Sequence, residues 1–345
     1  MESGLTARSS CLTGTIRAMA RYAGIDLGGT KIQVAIVDEE HTLLGQVRGQ
    51  TPMEGGPEDV VAAIEAHVRE AAGAAGIETS ELDGIGVGSP GNVDDDAGTV
   101  ASARNLPGWE GSYQVREALE QALGAPVRLG NDVQVATDAE FELGAAKPYS
   151  SLLGVFWGTG VGGGIILDGK PWIGRSAAGE IGHVVVRIDG RRCPCGRRGC
   201  MEAYAGRGAM EARARKLVDR GNKTILFDIM RERGRTRLAS GIFQRALHKG
   251  DKMAHDLIDE AIEALGAGVA SAVNVLDVEA VVIGGGLGLR LGEPYLQRIR
   301  AAMLPHLFVN EDPPAILLAE LGDLGGAQGA ALLAARGRTA AAAHS

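Results

Sequence analysis

Short hydrophobic runs alternate with amphipathic stretches over the first third of the chain. The runs are rich in β-branched residues and predict strands, whereas apolar residues spaced three or four apart predict helices. In chain order the pattern predicts strand 23–26, strand 32–38, strand 43–50, helix 57–75, strand 84–88, helix 113–123 and strand 127–129. This order, β-β-β-α-β-α-β, is typical of an α/β domain, here of about 110 residues.

The same opening returns in the second half of the chain. A hydrophobic run at 152–157 predicts a strand, a glycine-rich turn occupies 158–164, and a returning strand follows at 165–167. Two strand–glycine turn–strand openings, each leading into mixed α/β structure, indicate a duplicated architecture. The sequence has no short-period repeat of the solenoid type. The remaining predicted elements are helices at 207–219, 243–248 and 255–276, strands at 280–283 and 315–318, and helical character at 325–335.

The composition is that of a globular chain and excludes several classes of protein. Its 345 residues correspond to about two domains, and 45% hydrophobic with 23% charged residues is ordinary for a folded protein. A net charge of −8 argues against a surface that reads nucleic acid. No uninterrupted apolar run reaches the roughly 18 residues that a membrane span needs. We therefore expect a cytoplasmic protein that binds neither nucleic acid nor membrane.

Residues 1–20 have no hydrophobic period and no apolar core of signal-peptide length. We expect a disordered extension there, with a transit peptide as the alternative. Met19 runs almost directly into the first predicted strand, so a natural start at Met19 rather than Met1 is an open alternative. An N-terminal peptide containing Glu2 in the native protein would exclude it.

Three glycine-rich turns follow predicted strands, and together they predict a site for nucleotide phosphates. Glycine lets backbone N–H groups come close to a phosphate, while hydroxyl and ammonium groups add donors. Asp26, at a strand end, would hold Mg²⁺, usually through water. An ordinary hairpin is the alternative for the first turn, and the second is neither a Walker loop nor a dinucleotide fingerprint. The candidate residues are Asp26, Gly28, Gly29, Thr30, Lys31, Gly158, Thr159, Gly160, Gly284, Gly285 and Gly286.

Three of the four cysteines lie within eight residues, which is the spacing of a metal site rather than of a disulfide scaffold. Cys193, Cys195 and Cys200, with His183 ten residues before the first, match the Cys₃His set of a tetrahedral zinc site. Such a site is structural, because no open coordination position remains. The alternatives are reduced, unligated cysteines or a chance disulfide, although a Cys-x-Cys pair has poor disulfide geometry.

Two glutamates flank the cysteine cluster. Glu180 lies three residues before His183, and Glu202 lies two residues after Cys200. Carboxylates accept pairs of hydrogen bonds from sugar hydroxyls, so their attachment to a rigid zinc loop predicts a sugar site. The alternative is that both are solvated surface residues. Loss of the metal is expected to weaken sugar binding more than ATP binding, since the glycine turns lie elsewhere in the chain.

Asn131 and Asp132 follow the strand 127–129 at its C-terminal end. A carboxylate there would accept a proton from a hydroxyl that attacks phosphorus, while the neighbouring amide holds the alcohol. An Asx cap on the helix predicted over 133–141 is the alternative and the commoner use of such a pair. Asn105, in the polar loop 104–109, would bond a polyol, although by itself this is a weak signal.

In combination these motifs resemble those of the ROK family of bacterial repressors and sugar kinases, within the actin/hexokinase/Hsp70 ATPase superfamily. The resemblance runs from about residue 22 to about residue 335. The glycine turns occur across the superfamily, whereas the zinc motif with its flanking glutamates is specific to ROK proteins. The motifs are Asp26-x-Gly-Gly-Thr-Lys31, Gly88-Ser-Pro-Gly91, Arg104-Asn-Leu-Pro-Gly-Trp109, Asn131-Asp132, Gly158-Thr-Gly-x-Gly-Gly-Gly164, Glu180-x-x-His183, Cys193-x-Cys-Gly-x-x-Gly-Cys-x-Glu202 and Gly284-Gly-Gly286.

The resemblance implies an α/β fold of two actin-like (ribonuclease H-like) lobes, with nucleotide and sugar in the cleft between them. Residues 21–134 plus 325–338 would form a small lobe, and 135–324 a large lobe that carries a zinc-binding loop at 183–200. The resemblance also implies that Asp132 is the catalytic base. The implied sugar ligands are Asn105, Asn131, Asp132, Glu180, His183 and Glu202, and His183 would bind zinc as well.

The implied function is phosphorylation of a hexose by ATP with Mg²⁺, in the first place at the 6-hydroxyl of glucose. A kinase for mannose, fructose, N-acetylglucosamine or N-acetylmannosamine is the alternative, and ADP or polyphosphate are alternative donors. A sugar-responsive repressor of the same family needs a helix-turn-helix domain, and the roughly twenty residues before Tyr22 are too few for one. The family also implies a homodimer or a dimer of dimers.

Overall fold

The computed structural model describes residues 19–103 and 105–342, with side chains up to residue 337. Residues 1–18 of the extension predicted for residues 1–20 lie outside this range. Within the range, no helix combines the length and the apolar character that crossing a membrane requires. The described chain alternates strands and helices, as an α/β protein does.

In chain order the strands are β1 (Arg21–Leu27), β2 (Lys31–Asp38), β3 (Leu43–Gln50), β4 (Gly84–Ser89), β5 (Asn92–Asp94), β6 (Thr99–Ala101), β7 (Ser112–Tyr113), β8 (Val127–Asn131), β9 (Leu152–Trp157), β10 (Val161–Leu167), β11 (Lys170–Pro171), β12 (Ala280–Gly284) and β13 (Ala315–Leu318). The helices are α1 (Pro57–Ala74), α2 (Val115–Leu123), α3 (Asp132–Glu142), α4 (Glu202–Ala205), α5 (Arg207–Asp219), α6 (Leu226–Glu232), α7 (Ser240–His248), α8 (Lys252–Leu276), α9 (Gly285–Leu291), α10 (Glu293–Met303) and α11 (Gly325–Ala342).

The first sheet has five strands in the order β3-β2-β1-β4-β8. β1 pairs antiparallel with β2 and parallel with β4, so the first hairpin leads directly into a parallel region. Ile25, Val34 and Val87 in its central strands are completely buried. Such buried strands produce the nearly continuous hydrophobic runs seen in the sequence, because side chains on both faces are covered.

The second sheet repeats the first. Its order is β11-β10-β9-β12-β13, with β9 antiparallel to β10 and parallel to β12. Each sheet has its own hydrophobic core, which includes Trp109 in the first and Trp157 in the second. The α/β class and the duplication that the two glycine-turn openings predict are therefore confirmed.

Helix α11 returns from the second half of the chain and packs across β1 and β4 of the first sheet. The close approach depends on glycine in the strands. A Cβ added at Gly24 would lie 1.9 Å from Ala327 O. A Cβ added at Gly86 would lie 1.7 Å from Ala330 O. Small residues on both sides therefore set the distance between this helix and the sheet.

Helix α3 leaves the first sheet at the end of β8 and packs against β9 and β10 of the second. The side chain of Gln134 strengthens this connection: it donates to Ile165 O at 3.4 Å and accepts from Ile165 N at 3.1 Å. Further along α3, Asp138 forms an ion pair with Arg336 of α11 at 2.9 Å. Helix α3 therefore contacts both sheets and the C-terminal helix.

The structure differs from the predicted elements in three places. Tyr113 lies in β7 rather than at the start of a helix, because α2 begins only at Val115. The predicted turn 158–164 ends at Gly160, since the glycines that follow pair with β9 as part of β10. The sequence pattern does not predict β11, helices α4, α6, α9 and α10, or the sheet β5-β6-β7. The three strands have only two or three residues each, too few for a period to show.

Candidate active site

The first glycine turn joins β1 to β2 and is held by hydrogen bonds. Gly28 N donates to Lys31 O at 2.9 Å, and Thr51 Oγ1 donates to Gly28 O at 2.6 Å. Gly29 lies directly against the predicted sugar ligand Asn105, since a Cβ at Gly29 would come within 2.8 Å of Asn105 O. The fold thus brings a predicted phosphate turn and a predicted sugar ligand into contact.

The second and third glycine turns lie side by side at one edge of the second sheet. They follow β9 and β12, which are parallel neighbours, so the two strands end together. Gly285 has φ +78°, and a Cβ there would lie 2.6 Å from Trp157 O, so this turn needs glycine. A hydrogen bond from Gly158 N to Gly160 O, at 3.0 Å, holds the second turn together. Both turns lie at strand carboxyl ends, where open α/β sheets bind ligands.

A cavity of about 210 Å³ lies between the first turn and the third. Its walls include Asp26 and Lys31 from the first sheet, Gly285 and Gly286 from the second, and Asp132 at the start of α3. Of the described residues that the sequence predicts for the site, only Asp26, Lys31, Asp132, Gly285 and Gly286 line this cavity. The cavity therefore brings the predicted base together with the two ends of the first turn and with part of the third.

Asn131 and Asp132 occupy the junction of β8 and α3. Asn131 caps the helix, because its Oδ1 accepts hydrogen bonds from Val133 N at 3.0 Å and Gln134 N at 3.1 Å. The capping alternative is therefore correct for Asn131. The cap uses only the carbonyl oxygen, and the Nδ2 donors of the same amide take no part in it. Asp132 Oδ1 accepts from Val133 N at 2.9 Å.

Burial and neighbouring negative charge make Asp132 a weaker acid than an ordinary aspartate. Burial, then the charges of Asp26 and Glu180, raise the pKa of Asp132 to about 7, against the hydrogen bonds from the backbone. Burial also raises the pKa of Asp26, while the ammonium of Lys31 opposes the rise. Lys31 Nζ lies 4.0 Å from Asp26 and 3.5 Å from Asp323. A carboxylate that titrates near pH 7 is matched to proton transfer at neutral pH.

The side chains of His183, Cys193, Cys195 and Cys200 converge, with one potential ligand atom from each lying within 4.8 Å of all the others. Cys195 Sγ and Cys200 Sγ are 3.7 Å apart, and Cys193 Sγ lies 3.7 Å from His183 Nδ1. A tetrahedron with metal–sulfur bonds of ~2.3 Å has edges of about 3.8 Å. The cluster therefore has both the chemistry and the dimensions of a zinc site.

The two flanking glutamates contact the cluster from different directions. Glu180 Oε2 lies 3.8 Å from His183 Nε2, the ring nitrogen that does not face the cysteine. Glu202 Oε1 lies 3.8 Å from Cys193 Sγ, and its Oε2 accepts a hydrogen bond from Val161 N at 2.9 Å. Val161 directly follows the second glycine turn. Glu202 thus joins the cysteine loop to that turn, a contact that spacing in the sequence does not reveal.

Two charged residues near the site carry no signal in the sequence pattern. Arg207, at the start of α5, donates to Thr159 Oγ1 in the second turn at 2.6 Å. Asp323, in the turn before α11, lines the cavity and lies beside Lys31. Neither belongs to a motif, and only the fold brings them to the site.

This fold and site define a class of protein. Two sheets of one topology, with a cavity lined by residues from both halves of the chain, belong to the actin-like fold of the solved ROK hexokinase and glucokinase structures. The sequence profile of the ROK family matches residues 22–337, and the chain belongs to the ROK family.

Known members of the family place the chain among enzymes of related activity. It is 31% identical over 288 residues to a glucokinase of Thermotoga maritima, covering 83% of this chain and 88% of that protein. It is 32% identical to an N-acetylgalactosamine kinase of Shewanella sp., and the match covers 90% of this chain and 96% of that protein. A ROK family glucokinase from Streptomyces griseus, solved with glucose and AMPPNP, superposes with a TM-score of 0.77 at 33% identity, covering 92% and 100%. The predicted family and fold class are confirmed, and the protein is a sugar kinase.

Proposed function

We propose that this protein is an ATP-dependent glucokinase, with Asp132 as the general base that activates the 6-hydroxyl of glucose. The cavity carries the proposal, because it is lined by Asp132, by the cation Lys31 and by the third glycine turn. A proton acceptor, a cation and backbone donors are the parts that phosphoryl transfer needs. The relative named glucokinase and the solved complex with glucose and AMPPNP support both substrates.

The three glycine turns would hold the phosphates of ATP, with backbone N–H groups as donors and Lys31 as counter-charge. Carboxylate oxygens are the ligands that Mg²⁺ prefers, and Asp26, half-buried in the wall of the cavity, is the residue that would hold the ion. Bound with ATP, Mg²⁺ supplies charge neutralisation on the phosphates. The N–H groups of Gly28 and Gly158 already donate within their turns, to Lys31 O and Gly160 O, so these two residues would shape the turns rather than donate. The residues proposed for the phosphate site are Gly28, Gly29, Thr30, Lys31, Gly158, Thr159, Gly160, Gly284, Gly285 and Gly286.

Asp132 would act on the acceptor hydroxyl. Its carboxylate takes the proton of the 6-hydroxyl while that oxygen bonds to the γ-phosphorus and the bond from the γ-phosphorus to the bridging oxygen breaks, releasing ADP. A pKa of about 7 makes it a stronger base than an ordinary aspartate, yet leaves it substantially ionised at neutral pH. Asn131, whose Oδ1 caps α3, offers its Nδ2 donors to the sugar.

The cysteine loop would present the remaining sugar ligands. His183 Nδ1 is the ring nitrogen near Cys193 and would be its zinc ligand, whereas Nε2 lies beside Glu180 and would be left for the sugar. Zinc held there would be structural, since it would fix the loop from which Glu180, His183 and Glu202 would reach the sugar. The proposed metal ligands are His183, Cys193, Cys195 and Cys200, and the proposed sugar ligands are Asn105, Asn131, Asp132, Glu180, His183 and Glu202.

A kinase for an N-acetylhexosamine is the second candidate. The chain is 32% identical to an N-acetylgalactosamine kinase and 31% identical to a glucokinase, so sequence identity does not favour one substrate over the other. The proposed ligands bind hydroxyls that these sugars largely share, so selection at C2 depends on the shape of the pocket. Kinases for mannose or fructose are further alternatives, and the comparison of sugars described next distinguishes all of these candidates.

A panel of sugars and donors tests the proposal. Turnover of glucose, mannose, fructose, N-acetylglucosamine, N-acetylmannosamine and N-acetylgalactosamine is measured with ATP, ADP and polyphosphate, and the product is identified by ³¹P NMR. We expect the highest kcat/KM for glucose with ATP, and a product phosphorylated at oxygen 6. A higher kcat/KM for an N-acetylhexosamine would assign the protein to the second candidate, and no turnover of any sugar would refute both.

We also propose that the enzyme is a cytoplasmic homodimer or dimer of dimers, as the ROK family resemblance implies. Sedimentation velocity at micromolar concentration measures the mass directly. A species of about 36 kDa, the mass of one chain, would contradict the dimer.

A further inference from the structure

Arg207 is tied to the second glycine turn through both its backbone and its side chain. Its backbone N donates to Gly158 O at 3.1 Å, and the next residue, Gly208, donates to Thr159 O at 3.0 Å. Its guanidinium donates through Nη2 to Thr159 Oγ1 at 2.6 Å and through Nη1 to Ser240 Oγ at 3.0 Å. The side chain therefore spans from the turn to the first residue of α7.

Ser240 lies beside the third glycine turn, so Arg207 connects the surroundings of two turns. A Cβ added at Gly286 would be 3.7 Å from Ser240 Oγ. A Cβ added at Gly158 would be 4.0 Å from Gly286 N. The guanidinium thus lies where the turns after β9 and β12 meet, which is the edge of the sheet proposed to hold the nucleotide.

Among the described residues, the guanidinium of Arg207 interacts with a carboxylate only at a distance, that of Glu211. In the part of the chain that the structure describes, no ion pair joins its guanidinium to an acid, and the neighbouring Glu211 pairs with Arg215 at 2.6 Å and with Arg237 at 3.7 Å. Burial, then the nearby charge of Arg237, lowers the pKa of Arg207, while the charge of Glu211 opposes the decrease. A half-buried cation with a second cation beside it is a favourable place for an anion.

The hydrogen-bond chemistry of this group is one-sided. The hydroxyl oxygens of Thr159 and Ser240 accept from Arg207, so the hydrogen of each hydroxyl points away from the guanidinium and is available to donate. Arg207 itself has five N–H donors and no acceptor. Guanidinium and hydroxyls together therefore present donors to the junction of the two turns, which suits phosphate oxygens.

We propose that Arg207 is a positioning residue for the phosphate chain of the nucleotide, which it serves by orienting the hydroxyls of Thr159 and Ser240 and by supplying positive charge at the second turn. This inference rests on the proposed function, because it takes the nucleotide to be the phosphoryl donor. Lys31 supplies the charge from the first sheet, and Arg207 supplies it from the second.

The test compares ligands that differ only in their phosphates. Binding of ADP and of adenosine to the full-length protein is measured by calorimetry for the wild type, Arg207→Met, Arg207→Lys and Lys216→Met. Lys216 is an exposed cation on the same helix and controls for a general change of charge. We expect Arg207→Met to weaken ADP roughly 10- to 100-fold and to leave adenosine and glucose affinities unchanged. Arg207→Lys should recover part of the loss, since lysine keeps the positive charge but lacks the planar set of N–H donors of a guanidinium.

Equal losses for ADP and adenosine would overturn the inference, as would unchanged binding of ADP to Arg207→Met. A lower melting temperature together with weaker glucose binding would indicate a structural role and would also overturn it. Thr159→Val provides a second route, because it removes one oriented hydroxyl without removing the charge. Its effect on ADP should be smaller than that of Arg207→Met and should largely disappear in the double variant. Failure of glucose turnover in the wild type would refute the proposed function, whereas these binding comparisons bear on Arg207 alone.

Discussion

Glu202 Oε2 accepts a hydrogen bond from the backbone N–H of Val161 at 2.9 Å. Glu202 lies two residues beyond Cys200, and Val161 directly follows the second glycine turn. Separation along the chain suggests that the cysteine loop and the proposed nucleotide site are independent, but this bond shows that they are adjacent in space. A disturbance of the cysteine loop therefore reaches the proposed phosphate site as well as the sugar site.

Removing one metal ligand tests this connection. Cys195→Ser should lose bound zinc, weaken glucose binding by on the order of 10- to 100-fold, and weaken ATP binding by a smaller factor because Glu202 no longer holds Val161 in place. Metal analysis of the purified proteins, followed by sugar and nucleotide titrations, measures all three effects.

Cys11→Ser is the control for loss of a thiol, since Cys11 lies far from the cluster in the sequence. It should keep stoichiometric zinc and both affinities. A wild-type protein without zinc, or a Cys195→Ser protein with normal glucose affinity, would contradict the role given to the metal. If Cys195→Ser weakens glucose binding and leaves ATP binding unchanged, loss of the metal affects the sugar site alone.

The proposed base is tested by Asp132→Asn. Turnover should fall by roughly 10²- to 10⁴-fold, because the amide cannot take the hydroxyl proton, while the Kd for glucose changes little. Asp168→Asn is a matched control: Asp168 lies in a turn at φ +51°, a conformation that asparagine tolerates. Steady-state kinetics and binding are compared for both variants. An Asp132→Asn enzyme with wild-type kcat would remove the assigned role.

The raised pKa of Asp132 predicts the pH dependence of the reaction. The carboxylate works only when ionised, so kcat/KM for glucose should rise as pH increases through about 7 and level off above it. The charge of Asp26 contributes to the raised value, so Asp26→Asn should move this rise to lower pH, whatever it does to the maximum rate. A profile that is flat from pH 5 to 8, or that moves to higher pH in the variant, would contradict the assignment.

Asn131 has two tasks in the proposal, and two substitutions separate them. Asn131→Ser keeps a side-chain oxygen for capping α3, whereas Asn131→Ala removes the cap and should cost about 1 kcal/mol of stability. Both remove the amide donors, so both should weaken glucose binding. Urea unfolding and glucose titration give the two quantities. Normal glucose affinity in Asn131→Ser would leave the residue with its capping role alone.

The packing of α11 on the first sheet is tested by Gly86→Ala. The new methyl group would lie 1.7 Å from Ala330 O, so the helix must move, at an expected cost of about 1–3 kcal/mol or more. Gly73→Ala is the matched control, because Gly73 lies in α1 with no atom from beyond its own stretch of helix within 4 Å of the added carbon, and alanine favours the helix. Urea unfolding should show opposite shifts. A Gly86→Ala protein as stable as the wild type would contradict the packing argument.

Much of the fold can be predicted from the sequence, because buried strands appear there as continuous apolar runs. The run at 152–157 coincides with β9, and the run at 23–26 lies inside β1. The order of strands follows from the repeated opening, since the same local pattern builds the same sheet twice. The short strands β5, β6 and β7 escape prediction, because two or three residues carry no period.

The site divides in a similar way. Groups close in sequence, such as Cys193, Cys195 and Cys200, can be recognised by their spacing alone. The bonds from Val161 to Glu202 and from Arg207 to Ser240 join residues 41 and 33 positions apart. No motif encodes them, since they exist only once two separately formed pieces of structure have packed together.

Helix α11 has a consequence for how the protein is made. The groove it fills, over Gly24 and Gly86, is formed by strands that leave the ribosome early, while α11 follows after the whole second sheet. At about 5–20 residues per second, this interval is on the order of tens of seconds. The first sheet therefore lacks its covering helix until nearly the whole chain has been synthesised, although its own strands are made first.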